Sequence, residues 1–198
     1  MSIVKLHDTW GHEVTSAPSV EPVTRAAYFK DHIMSDETDI DNYIDEMLKA
    51  ARQVVEVHLG RKLITQTVQI IADSFPGGDI ELPFPPVQSI TSIAYRDTAG
   101  SNQTETGYTL RAGNNNKNAV LQQPTSGWPS TDEEPQAVTI TMVCGYGDAA
   151  SDVPEAIKFA IMQLASSWYA QRESISPVNM STVPQHLEWA LSAYRTWY

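Results

Sequence analysis

The stretch Leu82-Pro83-Phe84-Pro85-Pro86-Val87-Gln88-Ser89-Ile90-Thr91-Ser92-Ile93 constrains this chain more than any other. Proline locks φ and removes a backbone donor, so the opening can be neither helix nor central strand. From Val87 the residues alternate and read as a strand. The tract is therefore either a recognition peptide or an architectural corner. Pro83 to Pro86 satisfies P-x-x-P, the docking pattern for SH3-type domains. Such ligands carry flanking Arg or Lys in a disordered tract. Here Asp79 and Glu81 flank it and strands bracket it. The expectation is an extended link that ends one strand and launches the next.

The segments around this corner alternate at period two. Ile64 to Ile70 puts Ile64, Val68 and Ile70 on one face. Ile80-Glu81-Leu82, Val87 to Tyr95, Tyr108-Thr109-Leu110, Ala119-Val120-Leu121 and Ala137 to Cys144 read as further strands. Turns are expected at Pro76-Gly77-Gly78-Asp79 and Asp97-Thr98-Ala99-Gly100, with a polar loop at Gly113 to Asn116. Strands without intervening helices imply antiparallel pairing.

Helical spacing flanks this β region on both sides. A short helix capped by Thr24 is expected within Val23 to Lys30. A long one runs from Thr38 to Leu59, with Ile40, Tyr43, Ile44, Met47, Leu48, Ala51 and Val55 on its apolar face. Asp36, Glu37, Asp39 and Asp41 suit its N-terminus, and Gly60 stops it. After the β region, Asp152 is the expected cap and Pro154 the first-turn proline of a third helix. Its stripe is Ile157, Ala160, Ile161, Leu164, Ala165 and Trp168. A loop at Ser174 to Asn179 and a final helix from Pro184, with Leu187, Leu191 and Tyr194, complete the chain. The fold class is therefore α+β: N- and C-terminal helices packed together, with an antiparallel β region inserted between them. The divisions are a loose arm at 1–20 and one domain at 21–198, made of helices at 21–60, a β region at 63–147 and helices at 153–196.

With 198 residues, of which 41% are hydrophobic, the chain can bury a core without disulfides or metals. Its one cysteine, Cys144, excludes an internal disulfide and fits a reducing compartment. There is no signal-peptide pattern at the start and no run long enough to cross a membrane. A net charge of −11 argues against gripping nucleic acid, which needs clustered Lys and Arg. It remains compatible with surrounding a duplex that slides.

Several constellations could carry chemistry. Gly145-Tyr146-Gly147-Asp148-Ala149-Ala150 matches a dinucleotide fingerprint, but the helix starts late, at a proline, with no parallel strand after it. A double-glycine turn ending a strand is the better reading. Cys144 with His58 or His186 as base would make a nucleophile, yet their spacing gives no support. His7, His12 and His32 lack metal-ligand spacing. Tyr43 and Ile44 stand where a calcium loop starting in the Asp36–Asp41 cluster needs a ligand and a glycine. No catalytic, cofactor-binding or metal residue is assigned, and no cofactor is expected. Among the C-terminal aromatics, Trp189 is assigned to the core. Trp197 and Tyr198 stay open between core and partner surface.

In order along the chain come Val57-His58-Leu59-Gly60-Arg61-Lys62-Leu63-Ile64-Thr65-Gln66-Thr67, the proline corner, Tyr108-Thr109-Leu110, Trp128-Pro129 and Val143-Cys144-Gly145-Tyr146-Gly147. Val153-Pro154-Glu155-Ala156-Ile157-Lys158, Trp168-Tyr169 and Arg172-Glu173 follow. From about residue 20 to residue 196 this order resembles the head–tail connector (adaptor) proteins of tailed bacteriophages, prophage copies included. The resemblance implies a non-enzymatic virion part, made in the host cytoplasm. It implies a homo-oligomeric ring below the portal protein that extends the DNA channel and docks later neck or tail-completion components. Double-stranded DNA would pass through without specific binding, and no membrane is involved. The family brings no catalytic residues. The stretch Met1 to Val20 is longer than the usual pattern. Competing readings are a tail-completion or other neck protein, a small hydrolase using Cys144, and an SH3-ligand adaptor.

Overall fold

A computed structural model describes residues 3–5, 10–28, 41–113, 118–170 and 185–196. Its longest helix, α2 (Asp41–Leu59), follows the short α1 (Arg25–Ala27). Thr24 caps α1 as expected, its hydroxyl accepting from Ala27 N at 3.3 Å. Ile44, Met47, Leu48, Ala51, Val55 and Leu59 of α2 are buried at helical spacing, while Tyr43 on the expected stripe is half exposed. Gly60 ends the helix at φ 64°, with Gly60 N donating to Val57 O and Arg61 N to Glu56 O. This pair of bonds is a Schellman motif, which only a left-handed residue permits. The expected start at Thr38, with Asp36, Glu37, Asp39 and Ile40, lies outside the described residues.

The chain then enters two sheets. β3 (Gln66–Ala72) and β9 (Val138–Cys144) pair antiparallel in a five-stranded sheet whose order is β2 (Gly11–Ser16), β3, β9, β5 (Val87–Arg96) and β6 (Asn102–Thr104). Both alternate strictly between buried and half-buried residues. β5 (Val87–Arg96) lies on the other side of β9. A four-stranded sheet has β4 (Asp79–Glu81), β8 (Val120–Gln122) and β7 (Thr109–Arg111) in line. Val68, Ile70, Ile93, Val138, Ile140 and Met142 of the first sheet share a core with Ile80, Leu82, Ala119 and Leu121 around the second. One-sided burial of this kind produces the period-two pattern. β6 (Asn102–Thr104), wholly exposed, was not expected.

The N-terminal reading needs correction. Residues 11–16 are not a loose arm but strand β2 (Gly11–Ser16), antiparallel to β3. Upstream, β1 (Ile3–Lys5) runs parallel to β4. The β region is thus not only an insertion between helices, because one edge strand of each sheet comes from ahead of α1. Every residue of β2 is exposed, so no burial pattern marks it.

α3 (Glu155–Ala170) buries the predicted stripe, Ile157, Ala160, Ile161, Leu164, Ala165 and Trp168. These side chains share a second core with α2, Val23 and Tyr28, and with Leu187 and Leu191 of α4 (Gln185–Leu191). Asp152 does not cap α3. It closes a 3-10 turn at Ala150–Asp152, accepting from Ala149 N at 3.0 Å. The carbonyl of Pro154, the residue before α3, takes the first helical bonds from Ile157 and Lys158. The loop at 174–179 and the start at Pro184 fall outside the described residues.

Candidate docking surfaces and the junction behind them

Three connections meet where the helical core joins the sheets. Gly145 N donates to Pro86 O at 2.9 Å, Tyr146 N to Leu63 O at 2.9 Å, and Thr65 N to Gly147 O at 3.0 Å. Gln88 Nε2 donates to both Gly145 O and Thr65 Oγ1 at 2.9 Å. A Cβ on Gly145 would lie 2.6 Å from the Ile64 carbonyl and from Thr65 N. A Cβ on Gly147 would collide with the Asp152 carboxylate. Gly145 therefore serves a close approach of two backbones, and Gly147 leaves room for the Asp152 side chain.

The proline corner is one arm of this junction. Pro85 is buried, and Phe84 bends the link with φ 59°, so the expected extended run is broken in its middle. The Pro85–Pro86 peptide is cis. Phe84 lies 4.7 Å, centroid to centroid, from the His12 ring of β2, and Lys62 Nζ stands 5.3 Å from the Phe84 centroid. The corner thus receives strands and a cation of its own chain, which an SH3 ligand would leave outside.

Beside it runs a buried ionic network. Arg52 donates to Glu21 Oε2 at 2.8 Å and to Glu56 Oε2 at 3.0 Å. Glu56 Oε1 accepts from Leu63 N at 3.0 Å and Gln66 Nε2 at 2.9 Å, and Lys62 stands 3.8 Å from Oε2. Arg52 and Glu56 are 6% and 5% exposed. Buried charge is tolerated only with such complete partnering. Arg61, also buried, donates to the Tyr194 carbonyl, while Thr196 N donates to Leu59 O at 2.9 Å. These bonds tie the C-terminal segment to the end of α2.

The outer side of α2 carries an apolar groove of about 600 Å3, lined by Tyr43, Met47, Ala50, Val54 and Val57 with Trp168 of α3. Val57 is 83% exposed. Trp189, assigned to the core from sequence, is 77% exposed instead. Leu187 and Leu191 face the core, and a residue two positions from each lies on the opposite side of the helix. Trp197, Tyr198, His7 and His32 lie outside the described residues, as does the side chain of His186.

Chemistry of the sequence candidates is limited. Cys144 belongs to the sheet core, whereas His58 lines the helical groove. Burial pushes the Cys144 thiol up to about 12, against a small opposing effect of Lys62. A thiol so placed stays protonated at neutral pH and is a poor nucleophile. Among the described residues, no group of three His, Cys, Asp or Glu side chains could hold a metal. No described helix is long and apolar enough to cross a membrane.

Two histidines carry a pH signature. Partial burial first, then the Lys62 cation, holds His12 below its ordinary 6.5. Burial first, then Arg195, does the same to His58, with Glu188 opposing. Both folded-state values lie below the unfolded one, so the unfolded chain takes up protons first as pH falls. Stability is expected to decline as pH drops below about 6.5 towards the folded values. NMR titration should give both midpoints below 6.5. Midpoints at or above it would contradict the packing of His12 and His58 described above.

The comparisons with known proteins bear on this geometry. The model of the head completion protein family matches residues 23–197. The chain belongs to the head completion protein family. That membership agrees with the head–tail connector resemblance in the sequence. No curated protein gives a significant match. A chain of the virion of a native gene transfer agent (GTA) particle superposes with TM-score 0.76 at 20% identity, covering 94% of this chain and 96% of that one. A chain from the neck of an empty GTA particle, computed with C6 symmetry, gives 0.76 at 19%, covering 95% and 96%. One from the neck of a native GTA particle, computed with C12 symmetry, gives 0.70 at 20%, covering 94% and 96%. At such identities the likeness is one of fold.

Proposed function

We propose that this family member is a non-enzymatic neck component of a phage particle. Its copies close into a ring below the portal, extend the DNA channel and offer a surface to later neck or tail components. The observation that carries this reading is the family match over 23–197, joined to a shared fold with chains of GTA necks and virions. The cyclic symmetry used for those necks supports a ring. Head-to-tail rings need two unlike surfaces per subunit. The α2 groove and Trp189 supply exposed apolar surface of the kind an assembly buries.

The acids suit a channel that does not hold its DNA. At the sheet end remote from the helices, Ala72, Val138 and Tyr95 lie in register. The loops leaving that end carry Asp73, Asp97, Asp132, Glu133 and Glu134. Arg96 there is already paired with Asp132 at 2.9 Å and Glu134 at 2.8 Å. Hydrogen bonds from the Ser101 backbone, then from Gln103, keep Asp97 below the usual carboxylate range. The buried, protonated Cys144 supports a role without covalent catalysis.

Electron microscopy of the purified protein mixed with its portal protein tests the reading. The expected result is class averages of a closed ring seated on the portal. A strict monomer that never joins the portal would overturn it. Binding to a tail-tube protein but not to portal would move the chain to the tail-completion alternative.

A further inference from the structure

The N-terminal strand is joined to the body in an unusual way. β2 makes five register pairs with β3, Gly11 to Ile71 through Ser16 to Thr67, yet all of its residues stay largely exposed, His12 being covered only in part. Its attachments include the backbone ladder, the His12 ring against Phe84, and a hydrogen bond from Thr15 Oγ1 to Thr67 O at 3.3 Å. Just ahead of it, half-buried Trp10 packs against the sheet core and β1 pairs with β4, so an exchange carries both along. β1 and β2 both occupy sheet edges, so neither sheet is interrupted if they leave. The family match likewise begins only at residue 23.

A short hinge follows. The ladder loses register between Val14 and Ser16. Ala17, Ser19 and Val20 are exposed, and Pro18 stands among them. The chain is fixed again at Glu21, paired with Arg52, and at buried Val23. Extended, residues 17–20 span roughly 14 Å. Short proline-bearing hinges next to a separable element favour exchange between copies.

We propose that β2 is an exchangeable strand which, in the assembled ring, pairs with β3 of the neighbouring subunit. The inference rests on the ring reading and names a contact within it. The partner is a second copy of this chain, because only another copy presents the same β3 edge and the same Phe84. Every attachment lost from one subunit is regained on the next, so the exchange costs little at equilibrium. A ring holds each acceptor edge next to a donor, which raises the effective concentration. Exchange in one direction around a ring then ties every subunit to the next.

Cross-strand cysteines read the donor's identity. Glu13 and Gln69 are direct partners on the solvent side of the pair. Opposed residues of an antiparallel pair have the Cα separation a disulfide requires. A Glu13→Cys/Gln69→Cys chain is assembled with portal, checked for rings by electron microscopy, oxidised, and run on a non-reducing gel. The expected result is a shift of most subunits to dimers and higher multiples, with monomer-sized product from subunits oxidised before assembly. A Gln69→Cys/Thr141→Cys chain, joining β3 to β9 within one sheet, should stay monomer-sized throughout. Rings that yield only monomer-sized product, or unlinked thiols, from the first variant overturn the exchange. Absence of rings in the micrographs is a separate outcome: it defeats the ring reading, and the exchange with it.

Discussion

A Gly145→Ala chain is expected to lose about 3 kcal/mol or more of stability. Two costs combine. Gly145 sits at φ 132°, a conformation costing a side-chain-bearing residue of order 1–3 kcal/mol. The added methyl would also stand 2.6 Å from the Ile64 carbonyl and Thr65 N. Those are backbone atoms, so no rotamer change relieves the contact. Relief requires parting the β9 end from the start of β3, which breaks the bonds to Pro86 O and from Thr65 N. For a chain this long the loss corresponds to a melting point lower by roughly 6–12 °C. Gly77→Ala is the control, because a Cβ there meets nothing within 4 Å. Calorimetry should separate the two variants widely. Equal melting points would mean that the junction is not a packed unit.

That junction also marks how far the fold could be read from residue order. Stripes on α2 and α3 and alternation in β3 and β9 were legible because one-sided burial imposes their period. β2 and β6 bury nothing, so no period was imposed and neither could be seen. The double glycine was legible as a turn, but its partners at Pro86, Leu63 and Thr65 are distant in sequence. Asp152 misled because a 3-10 turn with its own acceptor need lies directly before α3. Trp189 was assigned by its apolarity, whereas its phase against Leu187 and Leu191 decides its direction. The α2 groove was hidden because Tyr43 and Met47 look like ordinary core residues until Trp168 is placed beside them.

The same distinction, between residue type and partners, governs Glu56. Glu56→Ala is expected to cost about 3–5 kcal/mol, since removing one member of a buried pair leaves the other charge only partly compensated and strands its remaining donors. Arg52 would keep only Glu21, and Leu63 N and Gln66 Nε2 would lose their acceptor. By contrast, an Arg52→Met/Glu56→Leu chain removes both buried charges at once. Their desolvation penalties disappear together, leaving mainly the orphaned amides, worth about 1–3 kcal/mol each. Urea denaturation should therefore find the double variant no less stable than the single one. If the double variant is less stable by the sum of two large losses, the pair stabilises the fold on its own account. The network would then be a source of stability. If it is not, the network is a positioning device: Glu21, at the foot of the β2 hinge, is held to α2 by Arg52. Releasing Glu21 in the double variant should leave the helical core folded while loosening the point from which the N-terminal strand departs. Hydrogen exchange at residues 11–16 should accordingly quicken in the double variant while α3 stays protected.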